Sequence, residues 1–411
     1  MQKTGLSKSE KYFLVIALFY VLYIAFPLFS DLVHLATYLP GVIVTFGLAV
    51  VFPRTLFSKP VLWTVVYIGL LFLYGISGHP IHVNGVEQSS PYMHRIFIEV
   101  GWMLPSVMIA CILCQFNNPK LYRIFSRASL LIIAVSFVYI LPTITAYSNI
   151  LRIAISNNEN IDLNLQGFPS YTLMHAYAFV VLPLFWITKN SHTFFKKTFY
   201  LALSLVFVYV IFNTYVTTSL IVCIFCFLFI WLFDPHQAQV SAFKFTILGI
   251  ILIIFFTSSL LPDFLLWIRP YFEGTAVIGK IDAITQSITA GKIVGGSLTV
   301  RADLHTLSQN NFLLNPFVGV GSAGGHSKIW DILGSMGLVV FIPFIMIIVS
   351  IYKLYMRSVQ FRDLRIYITA GFIVAFIYLY VKGIFGAAGW LFMFVLSPAM
   401  FIGYNKSRQK S

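Results

Sequence analysis

The sequence predicts an all-α integral membrane protein of about twelve transmembrane helices carrying one large extracytoplasmic loop. Three observations lead there. Hydrophobic residues make up 59% of the 411, charged residues only 10%, and mean hydropathy is +0.88, whereas a soluble domain is about half apolar and a quarter charged. Apolar runs of eighteen or more residues recur, each long enough as helix to cross a bilayer. Basic residues are distributed unequally between alternate connections.

Taken in order, the spans fall at 12–29, 33–52, 61–78, 96–115, 127–146, 171–188, 198–213, 215–233, 243–261, 329–352, 366–384 and 386–404. The first follows Lys3, Lys8 and Lys11 like a signal peptide, but no small-residue cleavage site comes after it, so a retained helix is expected. The stretch 198–233 is too long for one span and just long enough for two, with the join near Asn213-Thr214.

Charge sets the expected orientation. With the N-terminus inside, 19 of the 27 basic residues fall on the cytoplasmic side and 8 outside, as the positive-inside rule requires. Of the 13 acids, 3 fall inside and 10 outside, so the net +14 divides into about +16 inside and −2 outside. The basicity is thereby explained without nucleic acid, and the short basic inner connections suit anionic lipid. An even number of spans places both termini in the cytoplasm.

Three outer segments are long enough to matter: 79–95, 147–170 and 262–328. The chain therefore divides into residues 1–261 with nine spans, the large loop 262–328 with the candidate active site, and residues 329–411 with three spans and a cytoplasmic tail. Within the loop, Asp282 to Thr289 reads as a short helix, and Leu298, Leu304 and Leu307 mark an amphipathic helix leading to Asn315-Pro316. A glycine-rich turn follows. It delivers His326 and Ser327 to the N-terminal lip of the next span, where unpaired backbone N–H groups favour an anion. The chain shows no sequence repeat of the kind found in many secondary transporters.

Two motif matches have bland explanations. Cys111/Cys114 and Cys223/Cys226 have a zinc-like Cys-x-x-Cys spacing, but lie inside apolar spans without a neighbouring histidine or acid, as packing residues do. Gly319-Val320-Gly321-Ser322-Ala323-Gly324 matches a dinucleotide fingerprint but lacks the strand and βαβ unit that give it meaning. The metal and cofactor expectation is none.

The candidate site residues are outer cations, glycines and a histidine. Arg301 suits a pyrophosphate or carboxylate through its planar fork; an ion pair with Asp303 or Asp282 is the structural alternative. Arg152 and Arg95 could supplement it, although Arg95 and Glu99 also stand at i, i+4 and could pair. Gly319, Gly321, Gly324 and Gly325 permit close backbone approach and N–H groups directed at a phosphate, or simply a tight turn. His326 is the candidate base, beside Ser327. Lys382 either snorkels to the interface or meets an anionic lipid head. His34 and His175, within spans, read as packing residues.

The run Asn315-Pro316-Phe317-Val318-Gly319-Val320-Gly321, then Gly324-Gly325-His326-Ser327, Asp331 and Gly334-Ser335-Met336-Gly337-Leu338, after many short-looped helices, resembles the O-antigen polymerase and O-antigen ligase superfamily. The Gly-Gly-His-Ser run is more similar to the repeat-unit polymerases than to the ligases. The likeness is specific over 298–340 and architectural elsewhere. It implies a fold grouped with the integral-membrane glycosyltransferases that use polyprenyl-linked donors. It also implies a metal-independent polymerase in a bacterial cytoplasmic membrane, acting on a polyprenyl-pyrophosphate-linked oligosaccharide to build O-antigen, capsule or exopolysaccharide. A flippase and a chain-length regulator are the implied partners, besides membrane lipids. A ligase and a lipid-linked sugar transporter are the rival expectations.

Overall fold

The computed structural model describes residues 5–26, 38–77, 82–83, 86–87, 92–146, 171–214, 217–234, 243–244, 246–250, 260–273, 278–290, 296–382 and 386–405. The helices are α1 (Lys8–Ala25), α2 (Leu39–Val51), α3 (Lys59–Ile76), α4 (Tyr92–Phe116), α5 (Pro119–Ala146), α6 (Tyr171–Asn190), α7 (Phe194–Asn213) and α8 (Thr217–Leu232). After them come α9 (Leu260–Ile268), α10 (Ile278–Ala290), α11 (Gly296–Leu314), α12 (Lys328–Ser358), α13 (Arg362–Val381), α14 (Ala387–Leu391) and α15 (Ser397–Asn405). A π turn, Phe392–Leu396, joins the last two.

Among the described residues, eight helices are long and apolar enough to cross a membrane: α3, most of α4, α5, α6, α7, α12, α13 and the joined α14–α15. The shorter apolar helices α2 and α8 coincide with two further expected spans, and α1 with the first. Most of the expected ninth span, 243–261, lies outside the described residues, as do all of 147–170 with Arg152, most of 79–91, and His34.

Local chemistry explains several boundaries. Helix α1 starts in a reciprocal cap: Ser7 N–H donates to Glu10 Oε2 at 2.7 Å and Glu10 N–H to Ser7 Oγ at 3.2 Å. The other Glu10 oxygen accepts from Asn118 Nδ2 at 2.6 Å, tying the α4–α5 connection to the start of the chain. The long apolar stretch 198–233 does break where expected, α7 ending at Asn213 and α8 starting at Thr217. Thr214 N–H closes the last turn on the Val210 carbonyl.

Burial sorts the helices into centre and periphery. The span windows of α6 and of α14–α15 are each 89% buried and that of α4 is 72%, whereas α7 is 22% and α3 33%. A helix apolar all round yet largely exposed is one whose outer face meets lipid. At the centre, Tyr177 of α6, Phe392 and Trp390 are fully buried, and Tyr177 stacks on Phe392 with ring centroids 5.9 Å apart. Helix α12 packs on α3, α11 and α13, so it joins the centre to α11.

The loop helices appear where the apolar spacing places them, α10 over the Asp282–Thr289 segment and α11 from Gly296 to Leu314. One feature has no counterpart in the sequence pattern. Strand β1 (His82–Val83) pairs antiparallel with β2 (Val86–Glu87) and parallel with β3 (Ser322–Ala323), His82 opposite Ser322. His82 and Val83 therefore pair directly with the glycine-rich turn.

Candidate functional site

The glycine-rich turn is built against a discontinuity in α12. At Gly337 the backbone takes φ 63° and ψ −167°, interrupting the helix nine residues after its start. In hydrocarbon, the N–H and C=O groups freed by such a break need partners from the protein. The turn supplies them. Leu338 N–H donates to the Pro316 carbonyl at 2.8 Å and Val339 N–H to Phe317 at 3.1 Å. In return, Val320 N–H donates to Gly334 O at 3.0 Å and Gly321 N–H to Ser335 O at 2.9 Å. Tyr74 of α3 closes the seam, its hydroxyl donating to the Val318 and Met336 carbonyls. A Cβ on Gly319 would collide with the backbone of Ser335, and one on Gly337 with the Phe317 carbonyl, so both positions require glycine for close approach as well as for positive φ.

The sequence expectation of phosphate-directed glycine N–H groups gives way to internal bonding. Gly319 N–H bonds Asn315 O, Gly321 N–H bonds Ser335 O, Gly324 N–H bonds Ser308 Oγ at 2.7 Å, and Gly325 N–H bonds Asp331 Oδ1 at 3.0 Å. The helix N-terminus is likewise occupied by the chain's own groups. Ser327 Oγ accepts from Trp330 N–H, and Asp331 Oδ2 accepts from Ser327 N–H at 3.1 Å. Asp331 is thus the anion at this helix end. Ser308 of α11 donates to Asp331 Oδ1 at 3.0 Å while accepting from Gly324, which locks α11, the turn and α12 together.

This frame carries the cations. Arg301 and His305 are one turn apart on α11, His326 ends the turn, and Lys382 follows α13. Lys382 is buried, and its carbonyl accepts the Lys328 N–H at 2.9 Å, which draws the end of α13 to the start of α12. The imidazole pKa of His326 is lowered below its ordinary 6.5, first by burial and then by the positive charges of Arg301 and Lys382 and by His305. The structure therefore brings Arg301, Lys382 and His326 into one electrostatic neighbourhood. His175 of α6 is buried and hydrogen-bonded to Ser219 at 2.6 Å. Arg301 forms no ion pair with a described residue. Asp282, one alternative partner, is held bidentately by Arg269 at 2.8 and 3.2 Å, and Asp303 is exposed.

Glu99 has a partner that its spacing does not suggest. Its Oε1 accepts from Lys328 Nζ at 2.8 Å, while the Arg95 side chain lies outside the described residues. Sequence reasoning marked Trp330 as an outer-surface aromatic suited to sugar stacking but missed the group it forms with His305 and Tyr380 beside the cations. The His305 ring lies 5.5 Å from Tyr380 and 6.1 Å from Trp330, edge-on to both. Ser308 was missed as well, because its link to Asp331 spans 23 residues and leaves no local pattern. The four cysteines are buried in the bundle.

No protein-family model, curated protein or solved structure matches the chain.

Proposed function

We propose that the protein is a metal-independent glycosyltransferase that polymerises polyprenyl-pyrophosphate-linked oligosaccharide repeat units at the outer face of a bacterial cytoplasmic membrane, with both termini cytoplasmic. The observation that supports it most is that α11 carrying Arg301, the turn carrying His326 and the end of α13 carrying Lys382 meet at one end of the bundle. In the proposed step the acceptor hydroxyl oxygen bonds the anomeric carbon of the donor sugar. Its proton passes to the neutral His326 imidazole, and the bond from that carbon to the pyrophosphate oxygen breaks. Negative charge then grows on the departing pyrophosphate, where Arg301 and Lys382 act most strongly. A lowered His326 pKa suits the role, because the imidazole stays neutral and able to accept a proton at neutral pH. The edge-on ring group at His305, Trp330 and Tyr380 offers apolar faces for sugar rings.

The purified protein, reconstituted with a lipid-linked oligosaccharide, tests this reading. A ladder of longer glycans on the lipid with release of polyprenyl pyrophosphate is the expected result. Transfer of whole glycan to a different acceptor, without a ladder, would place the chain among ligases. The break in α12 favours one rival, a transporter of lipid-linked sugar, since discontinuous helices recur at transporter binding sites. Movement of the lipid-linked sugar across the vesicle without any new glycosidic bond would select it.

A further inference from the structure

A groove of about 660 Å³ lies at the opposite end of α12 from His326, between α12 and α3. It falls in the size range of cavities that hold small molecules. One wall is a single stripe of α3, from Lys59 through Leu62 and Trp63 to Val66; the other is a stripe of α12, from Met346 to Arg357. The two helices run antiparallel: Tyr74 near the end of α3 reaches Met336 near the start of α12, while Lys59 faces Arg357. Leu338 to Arg357, beyond the break, alone covers about 28 Å at the helical rise, so the groove and the histidine site sit at opposite ends of the span.

Its chemistry is divided along its length. Lys59, Lys353 and Arg357 gather at the helix ends, all exposed, and none forms an ion pair with a described residue. Deeper in, the lining is Leu62, Trp63, Val66 and Met346. The groove is open sideways, Leu62 being 46% and Val66 45% exposed, so a chain can enter from the lipid phase. Three cations above an apolar trough complement a molecule with an anionic head and a hydrocarbon tail. We propose that this groove binds an anionic phospholipid, its phosphate between Lys59, Lys353 and Arg357 and one acyl chain against Trp63 and Met346. The site is independent of the proposed enzymatic activity.

Trp63 reports occupancy directly. The full-length protein would be reconstituted in phosphatidylcholine vesicles containing a minor fraction of acyl-brominated phosphatidylglycerol or acyl-brominated phosphatidylcholine. The Trp63 signal is the emission difference between the parent protein and Trp63→Phe. Brominated phosphatidylglycerol should quench it at about fivefold lower mole fraction, or better, on the strength of the cation–phosphate attraction. The combined Lys59→Gln, Lys353→Gln and Arg357→Gln variant should lose that preference. Lys196→Gln with Lys197→Gln, which removes two cations outside the groove, should keep it. Equal quenching by the two lipids, or a preference that survives the triple substitution, would overturn the proposal.

Discussion

Lys328 Nζ lies 2.8 Å from Glu99 Oε1, with the two side chains only 10% and 8% exposed, so α12 and α4 are joined by an ion pair withdrawn from solvent. A charge left alone in such a place costs about 3–5 kcal/mol, whereas replacing both partners by apolar groups can be neutral. Glu99→Gln and Lys328→Met should each lower the midpoint of thermal unfolding in detergent by several degrees. Glu99→Leu with Lys328→Met should recover most of the loss. A double variant no better than the singles would mean that the pair serves more than charge balance.

Gly337 should tolerate no side chain. Its backbone conformation, positive φ with near-extended ψ, costs an L-residue on the order of 1–3 kcal/mol, and a Cβ would meet the Phe317 carbonyl that pairs the break. Gly337→Ala should therefore reduce the folded yield and unfold at lower temperature. Gly371→Ala is the comparison, because a Cβ there makes only ordinary contact with Leu182. Equal behaviour of the two variants would count against the tight seam between the turn and α12.

For Arg301, shape as well as charge is at stake. Arg301→Lys keeps the charge but loses the fork that bonds a pyrophosphate bidentately, and should slow polymerisation well beyond an ordinary surface change. Arg301→Ala should be slower still, with insertion and yield unaltered. Wild-type polymer length from Arg301→Ala would reduce this residue to a surface cation.

His326 should set the acidic limb of the rate. Its folded pKa is lowered below 6.5, so the neutral base persists as pH falls past that value and is lost only in more acid solution. The surrounding charges that lower it are Arg301 and His305 from α11 and Lys382 after α13. Arg301→Gln removes one cause of the lowering, so the limb should move up toward 6.5 in the activity that remains. His326→Ala should slow the chemical step by about 10²- to 10⁴-fold while leaving the protein folded. A limb that does not move in Arg301→Gln, together with near-normal His326→Ala activity, would take the histidine out of the step.

Topology is open to a direct test. If 262–328 is external, as the basic asymmetry predicts, Ser297→Cys should react with an impermeant maleimide from outside intact cells, against a background in which the four wild-type thiols are buried. Labelling only after permeabilisation would reverse the orientation.

Apolar length and the spacing of leucines were enough to locate most helices, since a chain in hydrocarbon must satisfy its backbone within each span. The helical segments α10 and α11 and the break between α7 and α8 were legible in that way. What the pattern could not reveal was the use to which the glycines are put. Asn315 to Gly321 and Gly334 to Gly337 read as a turn and a small-residue helix start, yet they are two halves of one seam, each pairing the backbone groups the other leaves open. The partners of Glu99 and Asp331 were hidden for the same reason. Hydrogen bonds and ion pairs such as Lys328–Glu99 and Ser308–Asp331 join residues 229 and 23 positions apart, and only the packing of α4 and α11 on α12 brings them within reach.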